Sequence, residues 1–242
     1  MAPQRPDGRP RDAIRPLKFT PGFIEWADGS VLIEAGKTKV ICAATVQDGV
    51  PPWLRGKGSG WVTAEYSMLP SATPGRKIRE AIRGKQEGRT VEIQRLVGRS
   101  LRAAVDMRAL GDRTVWIDCD VIQADGGTRC ASVSGAYVAL HLALARLVDR
   151  DFIKELPLKD SVAAVSVGVR GGGPILDLDY EEDSTAEVDM NVVMTGAGEL
   201  VELQATAEGE AFSREALDRL LDLAAAGIQQ IGAEQLKTTA RR

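Results

Sequence analysis

The sequence predicts an α+β fold, with mixed sheets carrying packed helices in two related subdomains. Three observations point there. Apolar, β-rich runs separated by turn residues occupy 14–68 and recur at 161–207. Segments with helical periodicity lie at 89–106 and 132–150 and again after Ser213. A polar stretch at 149–159 separates the two groups, as a boundary between subdomains would. The expected division is a polar N-terminal arm at 1–14, an N-terminal subdomain at 15–150 and a C-terminal subdomain at 158–236.

The arm contains proline and is expected to be mobile until it packs on something. Strands are expected at 14–19, 23–27, 31–34, 38–46 and 61–68, with Asp28-Gly29 and Ala35-Gly36 as turns. Residues 69–88 hold few apolar side chains and several breakers, together with Arg76, Lys77, Arg79, Arg83 and Lys85. A basic loop of this length in a compact domain is usually functional or mobile. In the helix expected at 89–106, Ile93, Leu96, Val97, Leu101, Ala104 and Val105 form an apolar stripe. Arg95, Arg99 and Arg102 share another face, suited to a solvated surface or to a track for phosphates. Arg89 begins that helix, where a cation opposes the helix dipole unless an anion lies between them.

A strand at 114–124 runs into Gly126-Gly127, and a long apolar helix follows from about Ser132 to 150. Strand, paired glycines and helix start together present backbone N–H groups to an anion. Thr128 adds a hydroxyl and Arg129 a forked cation suited to phosphate oxygens. Further strands are expected at 161–169, 175–180, 186–194 and 200–207, with Ser213 capping the last helix.

Composition narrows the function classes. The chain has 242 residues, 44% of them hydrophobic, with no run near the ~18 apolar residues of a membrane span. Its N-terminus has no apolar core like that of a secretory signal. Cys42, Cys119 and Cys130 lie in apolar segments without CxxC spacing and read as reduced, buried thiols of a cytoplasmic protein. A single histidine, His141, excludes a zinc site built from several. Gly36-Lys37-Thr38 is not a P-loop, since Val31 stands where the motif needs glycine. Gly56, Gly58 and Gly60 lack the third glycine of a dinucleotide fingerprint. Residues 1–113 hold 20 Lys+Arg against 12 Asp+Glu, whereas 114–242 hold 11 against 22. A basic half beside an acidic half suits a polyanion on one and a metal on the other.

The acidic half has a focus in Asp177, Asp179, Glu181, Glu182 and Asp183, followed by Glu187, Asp189 and Asn191. On a strand the last three share one face, with Asp183 in the preceding turn. Carboxylates converging with few nearby cations repel one another, and a magnesium or manganese ion would relieve the conflict. A solvated hairpin accounts for Glu181 and Glu182, but poorly for acids alternating with Val188, Met190 and Val192.

Long segments at 60–70, 88–96, 118–129 and 179–194 carry a likeness across nearly the whole chain. In them the chain resembles the ribonuclease PH family of phosphate-dependent 3′→5′ exoribonucleases. The family's fold is similar to the second domain of ribosomal protein S5. By the resemblance, Arg89, Gly127, Thr128 and Arg129 bind inorganic phosphate as co-substrate, while Asp183 and Asp189 serve metal and catalysis. Arg76, Arg79, Arg95 and Arg99 are the expected RNA contacts. The resemblance further implies tRNA precursors and other RNA 3′ ends as substrates, Mg2+ or Mn2+ as cofactor, a homo-hexamer built as a trimer of dimers, and no membrane partner. The family carries an arginine after Leu69-Pro70 where this chain has Ser71. That departure bears on RNA or subunit contact. The rival expectations are a non-catalytic RNA-binding ring subunit and a metal-dependent hydrolytic nuclease.

Overall fold

In the computed structural model, which describes residues 5–240, two sheets enclose a central helix. The first sheet has spatial order β1-β2-β3-β5-β4, from β1 (Leu17–Pro21), β2 (Gly29–Ala35), β3 (Thr38–Asp48), β4 (Trp61–Met68) and β5 (Arg113–Gln123). β5 pairs antiparallel with β3 and parallel with β4. A parallel pair cannot be joined by a tight turn. The crossover carries α1 (Glu80–Arg83), α2 (Gly88–Ala104) and α3 (Met107–Leu110). The apolar stripe of α2 is buried, with Ile93, Val97, Leu101 and Ala104 inaccessible to solvent.

The central helix is α4 (Thr128–Asp149), packed on β2 and β3 on one side and on β6 on the other. A helix enclosed this way must be apolar around most of its circumference. α4 is long and apolar enough to cross a membrane, but 83% of its apolar window is buried inside the protein. The second sheet is antiparallel, in order β7-β6-β8-β9, from β6 (Val162–Arg170), β7 (Gly173–Leu176), β8 (Val188–Thr195) and β9 (Leu200–Ala207). The turn α5 (Tyr180–Asp183) precedes β8, and α6 (Arg214–Thr239) closes the chain against β6, β7 and β1. Ser213 caps α6 as expected, its Oγ accepting from Ala216 N at 3.2 Å. One hydrophobic cluster runs through both sheets.

Four expectations need correction. Residues 23–27 are not a strand. Gly22, at φ 70°, turns the chain out of β1, and Ser30 Oγ accepts from Ile24 N at 2.8 Å and donates to Ile24 O at 3.0 Å. A side chain thus takes the backbone bonds a partner strand would supply, and Trp26 is left 92% exposed. The strand expected at 175–180 ends at Leu176, after which the chain turns into α5. α4 begins at Thr128, before the expected start, because Gly127 takes the cap position and lets the helix follow the turn directly. The described part of the N-terminal arm is packed. Arg11 donates to Arg170 O and Gly173 O, both at 2.6 Å, and Arg5 is buried. Residues 1–4 of the arm lie outside the described residues.

Candidate phosphate and carboxylate site

Asp125-Gly126-Gly127 form the turn between β5 and α4. Gly126 and Gly127 have φ of 73° and 63°, in the left-handed region that glycine enters without strain. A Cβ at Gly126 would lie 2.5 Å from the Asp179 carbonyl carbon, and one at Gly127 would lie 2.7 Å from Arg15 Nη2. Glycine is therefore required twice, for conformation and for close approach. The second requirement presses the turn directly onto the acidic segment. Thr38 Oγ1 holds the turn by donating to Gly126 O at 2.7 Å and accepting from Asp125 N at 2.9 Å. Arg15 Nη1 donates to Asp125 O at 2.6 Å.

The acids beside this turn divide by their partners. Asp177 accepts from Arg15 Nη2 at 2.7 Å, from Arg15 Nε at 3.0 Å and from Arg15 N at 2.7 Å. Glu182, fully buried, accepts from Arg5 Nε and Nη2, each at 2.8 Å, and from Arg9 at 3.2 Å. Burial alone would push both carboxyls up, but the arginines beside them hold both below the usual carboxylate range. Asp179 caps α5, accepting from Glu182 N at 2.9 Å, while Glu182 accepts from Asp179 N at 3.0 Å. Glu182 is thus not the solvated acid expected. It is a paired one that fixes the turn holding its neighbour, Asp183.

Asp183 and Asp189 remain, and they interact with each other. Burial pushes the Asp183 carboxyl up, with Arg89 and Arg129 acting in the opposite sense. Burial and then Asp183 raise the Asp189 carboxyl to about 6, again opposed by Arg129 and Arg89. Buried Asp189 Oδ1 has no hydrogen-bond partner among the described residues. The two aspartates and two arginines therefore share one electrostatic neighbourhood. Asn191, on the same face of β8, is buried and accepts from Cys130 Sγ at 3.3 Å, which seats this face against the first turn of α4.

The arginines occupy matching positions. Arg89 is the second residue of α2 and Arg129 the second of α4, and neither helix has a side-chain cap. The first-turn N–H groups of both helices have no capping side chain, and both helix dipoles favour an anion there. Arg129 Nη1 donates to Gln204 Oε1 at 2.6 Å and to Glu92 Oε1 at 3.0 Å. Gln204 is itself oriented, its Nε2 donating to Glu202 Oε1 at 3.0 Å. Thr128 is buried, and its Oγ1 accepts from Tyr66 OH at 3.0 Å.

A metal fits part of this arrangement. No group of three or more His, Cys, Asp or Glu converges among the described residues. Two carboxylates with an unsatisfied oxygen do suit magnesium, which is commonly held by one or two carboxylates with water and substrate phosphate completing the shell.

The expected RNA contacts are spread over α2 and the loop before it. Arg79 and Arg89 line a cleft of about 660 Å³ whose wall also includes Glu65, Asp118 and Asp120. Burial, then Glu65 and Asp120, push the Asp118 carboxyl up. Arg95 and Arg99 line a groove with Gly88 and Glu202, where Arg99 Nη1 donates to Glu202 Oε2 at 3.1 Å. Arg76 is exposed on the loop before α1. Arg102 leaves the arginine stripe. It stacks on Trp61 at 4.5 Å and donates to Val62 O at 3.0 Å. The sequence reading missed Arg5, Arg15, Tyr66 and Gln204. Each acts on a site residue distant in sequence, and no local pattern marks such partners.

Two family descriptions match the chain. Residues 13–145 match "3′ exoribonuclease family, domain 1", and residues 160–227 match domain 2 of the same family. A protein named Ribonuclease PH from Syntrophomonas wolfei is 60% identical over 96% of this chain and 97% of its own length. A Bacillus subtilis protein of the same name is 60% identical over 94% of this chain and 93% of its own length. The fold is similar to rice Rrp46, with a TM-score of 0.79 at 19% identity, covering 97% of this chain and all of the other. It is also similar to a subunit in an Archaeoglobus fulgidus exosome with RNA bound to the active site, with a TM-score of 0.80 at 24% identity over 96% and 92% of the two chains.

Proposed function

The chain belongs to the 3′ exoribonuclease family, and from that premise we propose that it shortens RNA from the 3′ end by phosphorolysis, tRNA precursors among its substrates. The observation that carries the mechanism is the meeting of Arg89, Arg129 and the Gly126-Gly127 turn with the Asp183–Asp189 pair. The arginines and the first turn of α4 hold inorganic phosphate in line with the last phosphodiester of the RNA. An oxygen of that phosphate bonds to the phosphorus, and the bond from phosphorus to the 3′-oxygen of the preceding nucleotide breaks. The freed 3′-oxygen takes up a proton, and the last nucleotide leaves as a nucleoside 5′-diphosphate. An anhydride replaces the ester, so the reaction runs backwards when diphosphates are abundant. The arginines meet charge on the equatorial oxygens in positions set before reaction, which is the most effective form of electrostatic catalysis.

Asp183 and Asp189 would hold Mg2+ or Mn2+, which when bound supplies neutralising charge at the attacked phosphoryl group and the leaving oxygen. Arg76, Arg79, Arg95 and Arg99 bind the RNA backbone, and the active form is a hexamer built as a trimer of dimers. Within the chain, the segment 15–150 brings the phosphate and RNA contacts, and 158–236 brings the carboxylates.

Incubating the enzyme with a tRNA precursor in the presence and absence of phosphate tests this reading. Shortening that needs phosphate and releases diphosphates is the expected result. Efficient release of monophosphates in phosphate-free buffer would favour the hydrolytic alternative.

A further expectation concerns grip on RNA. Residues 76–108 hold ten Lys+Arg against four acids and contain no aromatic side chain. The grip is therefore ionic, without a stacking platform in this stretch. Replacing Arg76 and Arg79 together by Ala weakens binding of folded precursors more than it slows cleavage of a short oligomer. Each lost phosphate contact flattens the log–log salt dependence by ~0.7–0.9. Loss of the ring on a sizing column, with an unchanged salt slope per assembled ring, would assign these arginines to subunit contact instead.

A further inference from the structure

Two buried hydroxyls behind the phosphate turn leave one proton without an acceptor. Tyr66 OH and Thr128 Oγ1 lie 3.0 Å apart, and both residues are buried. Each hydroxyl brings one proton, and one hydrogen bond joins them, so one proton is left over whichever group donates. The phenol is the more acidic and the stronger donor of the two, which leaves the Thr128 proton unassigned. Among the described residues no protein acceptor takes it. A buried donor without a partner costs free energy and calls for a ligand or an ordered water. The surroundings favour an anion. Thr128 is the first residue of uncapped α4, directly before Arg129. Arg89 and Arg129 both act on Tyr66.

We propose that Tyr66 is a positioning residue for phosphate: by donating to Thr128 Oγ1, it directs the single Thr128 hydroxyl proton onto the bound inorganic phosphate. This rests on the proposed phosphorolytic reading of the site. Burial, as the largest influence, pushes the Tyr66 hydroxyl up, so it stays protonated and remains a donor under working conditions. Tyr66 comes from β4 and Thr128 from the start of α4, so one hydrogen bond ties the first sheet to the phosphate turn.

Steady-state kinetics with inorganic phosphate as the varied substrate test the assignment. Tyr66→Phe keeps the ring and removes the donor. It is expected to raise the apparent KM for phosphate about 3- to 10-fold, the worth of one hydrogen bond. The KM for RNA should stay within error, and any fall in kcat should be smaller than the rise in phosphate KM. Thr128→Val removes the hydroxyl at similar volume and is expected to raise phosphate KM at least as much. In a Thr128→Val background, Tyr66→Phe is expected to add nothing, because its effect runs through that hydroxyl. In a Thr128→Ser background it should still act. Isothermal titration with inorganic phosphate alone should repeat the pattern in binding. An additive effect in the Thr128→Val background would mean that Tyr66 acts through packing, and would overturn the inference. So would an unchanged phosphate KM in Tyr66→Phe while Arg129→Ala still raises it, and that result would leave the phosphorolytic reading standing. RNA shortening independent of phosphate in the unaltered enzyme would overturn both.

Discussion

Arg129→Ala lowers the rate of RNA shortening by on the order of 10²–10³-fold, the usual loss when one pre-organised donor to a transition-state oxyanion is removed. The apparent KM for phosphate rises with it. Three features make this position sensitive. Arg129 stands two residues after Gly127, in the first turn of α4, so its backbone is placed by the same contacts that seat the glycine turn on Asp179. Its guanidinium is held in advance by Gln204 and Glu92. It also opposes the burial that raises both Asp183 and Asp189. Arg129→Lys restores only part of the activity, because an ammonium is a point charge and cannot reproduce the fork that meets two phosphate oxygens. Single-turnover rates with saturating phosphate separate the loss in chemistry from the loss in binding. A fall of only a few-fold in Arg129→Ala would remove this residue from the reaction centre.

Asp189→Asn and Asp183→Asn lower turnover by about 10²–10⁴-fold, as losing the several kcal/mol of charge stabilisation that the proposed metal would supply implies. RNA binding, measured by filter retention, stays near the unaltered level, since in the proposed mechanism these carboxylates act on the metal and not on the RNA backbone. The fold should tolerate the changes. Asp177 and Glu182 neutralise buried arginines and hold the N-terminal segment, whereas Asp183 and Asp189 form no such ion pair among the described residues. Removing one partner of a buried pair leaves an uncompensated charge, and these two positions avoid that cost. A chelator should inhibit the unaltered enzyme, with magnesium or manganese restoring it. Wild-type turnover in either variant would exclude the two-carboxylate site.

What could be read from the sequence depended on distance along the chain. Strands such as β4 and β9 follow from a local pattern of apolar and turn residues, and both have the expected bounds. The glycine turn was legible because its chemistry is contiguous: two glycines, a hydroxyl and an arginine. Residues 23–27 misled because their apolar content resembles a strand, while Ser30 supplies the decisive bonds from outside the segment. The acidic hairpin reads as short of cations because few are nearby in sequence, Arg170 being the nearest before it. Arg170 reaches Glu181, but the cations of buried Asp177 and Glu182 are Arg5, Arg9 and Arg15, from the other end of the chain. That pairing sorts the acids into structural and unpaired ones, a distinction no local spacing carries. Gln204 and Tyr66 escaped notice for the same reason, since each works only through a neighbour brought by another element.

The central claim is that inorganic phosphate is the nucleophile. The measurement that tests it most directly follows ³²P-labelled inorganic phosphate into products during shortening of an unlabelled tRNA precursor. The account predicts that label appears in the terminal phosphate of the released nucleoside diphosphates, one label per nucleotide removed, and that the yield collapses in Arg129→Ala. Unlabelled nucleoside monophosphates released at the same rate with or without phosphate would contradict it.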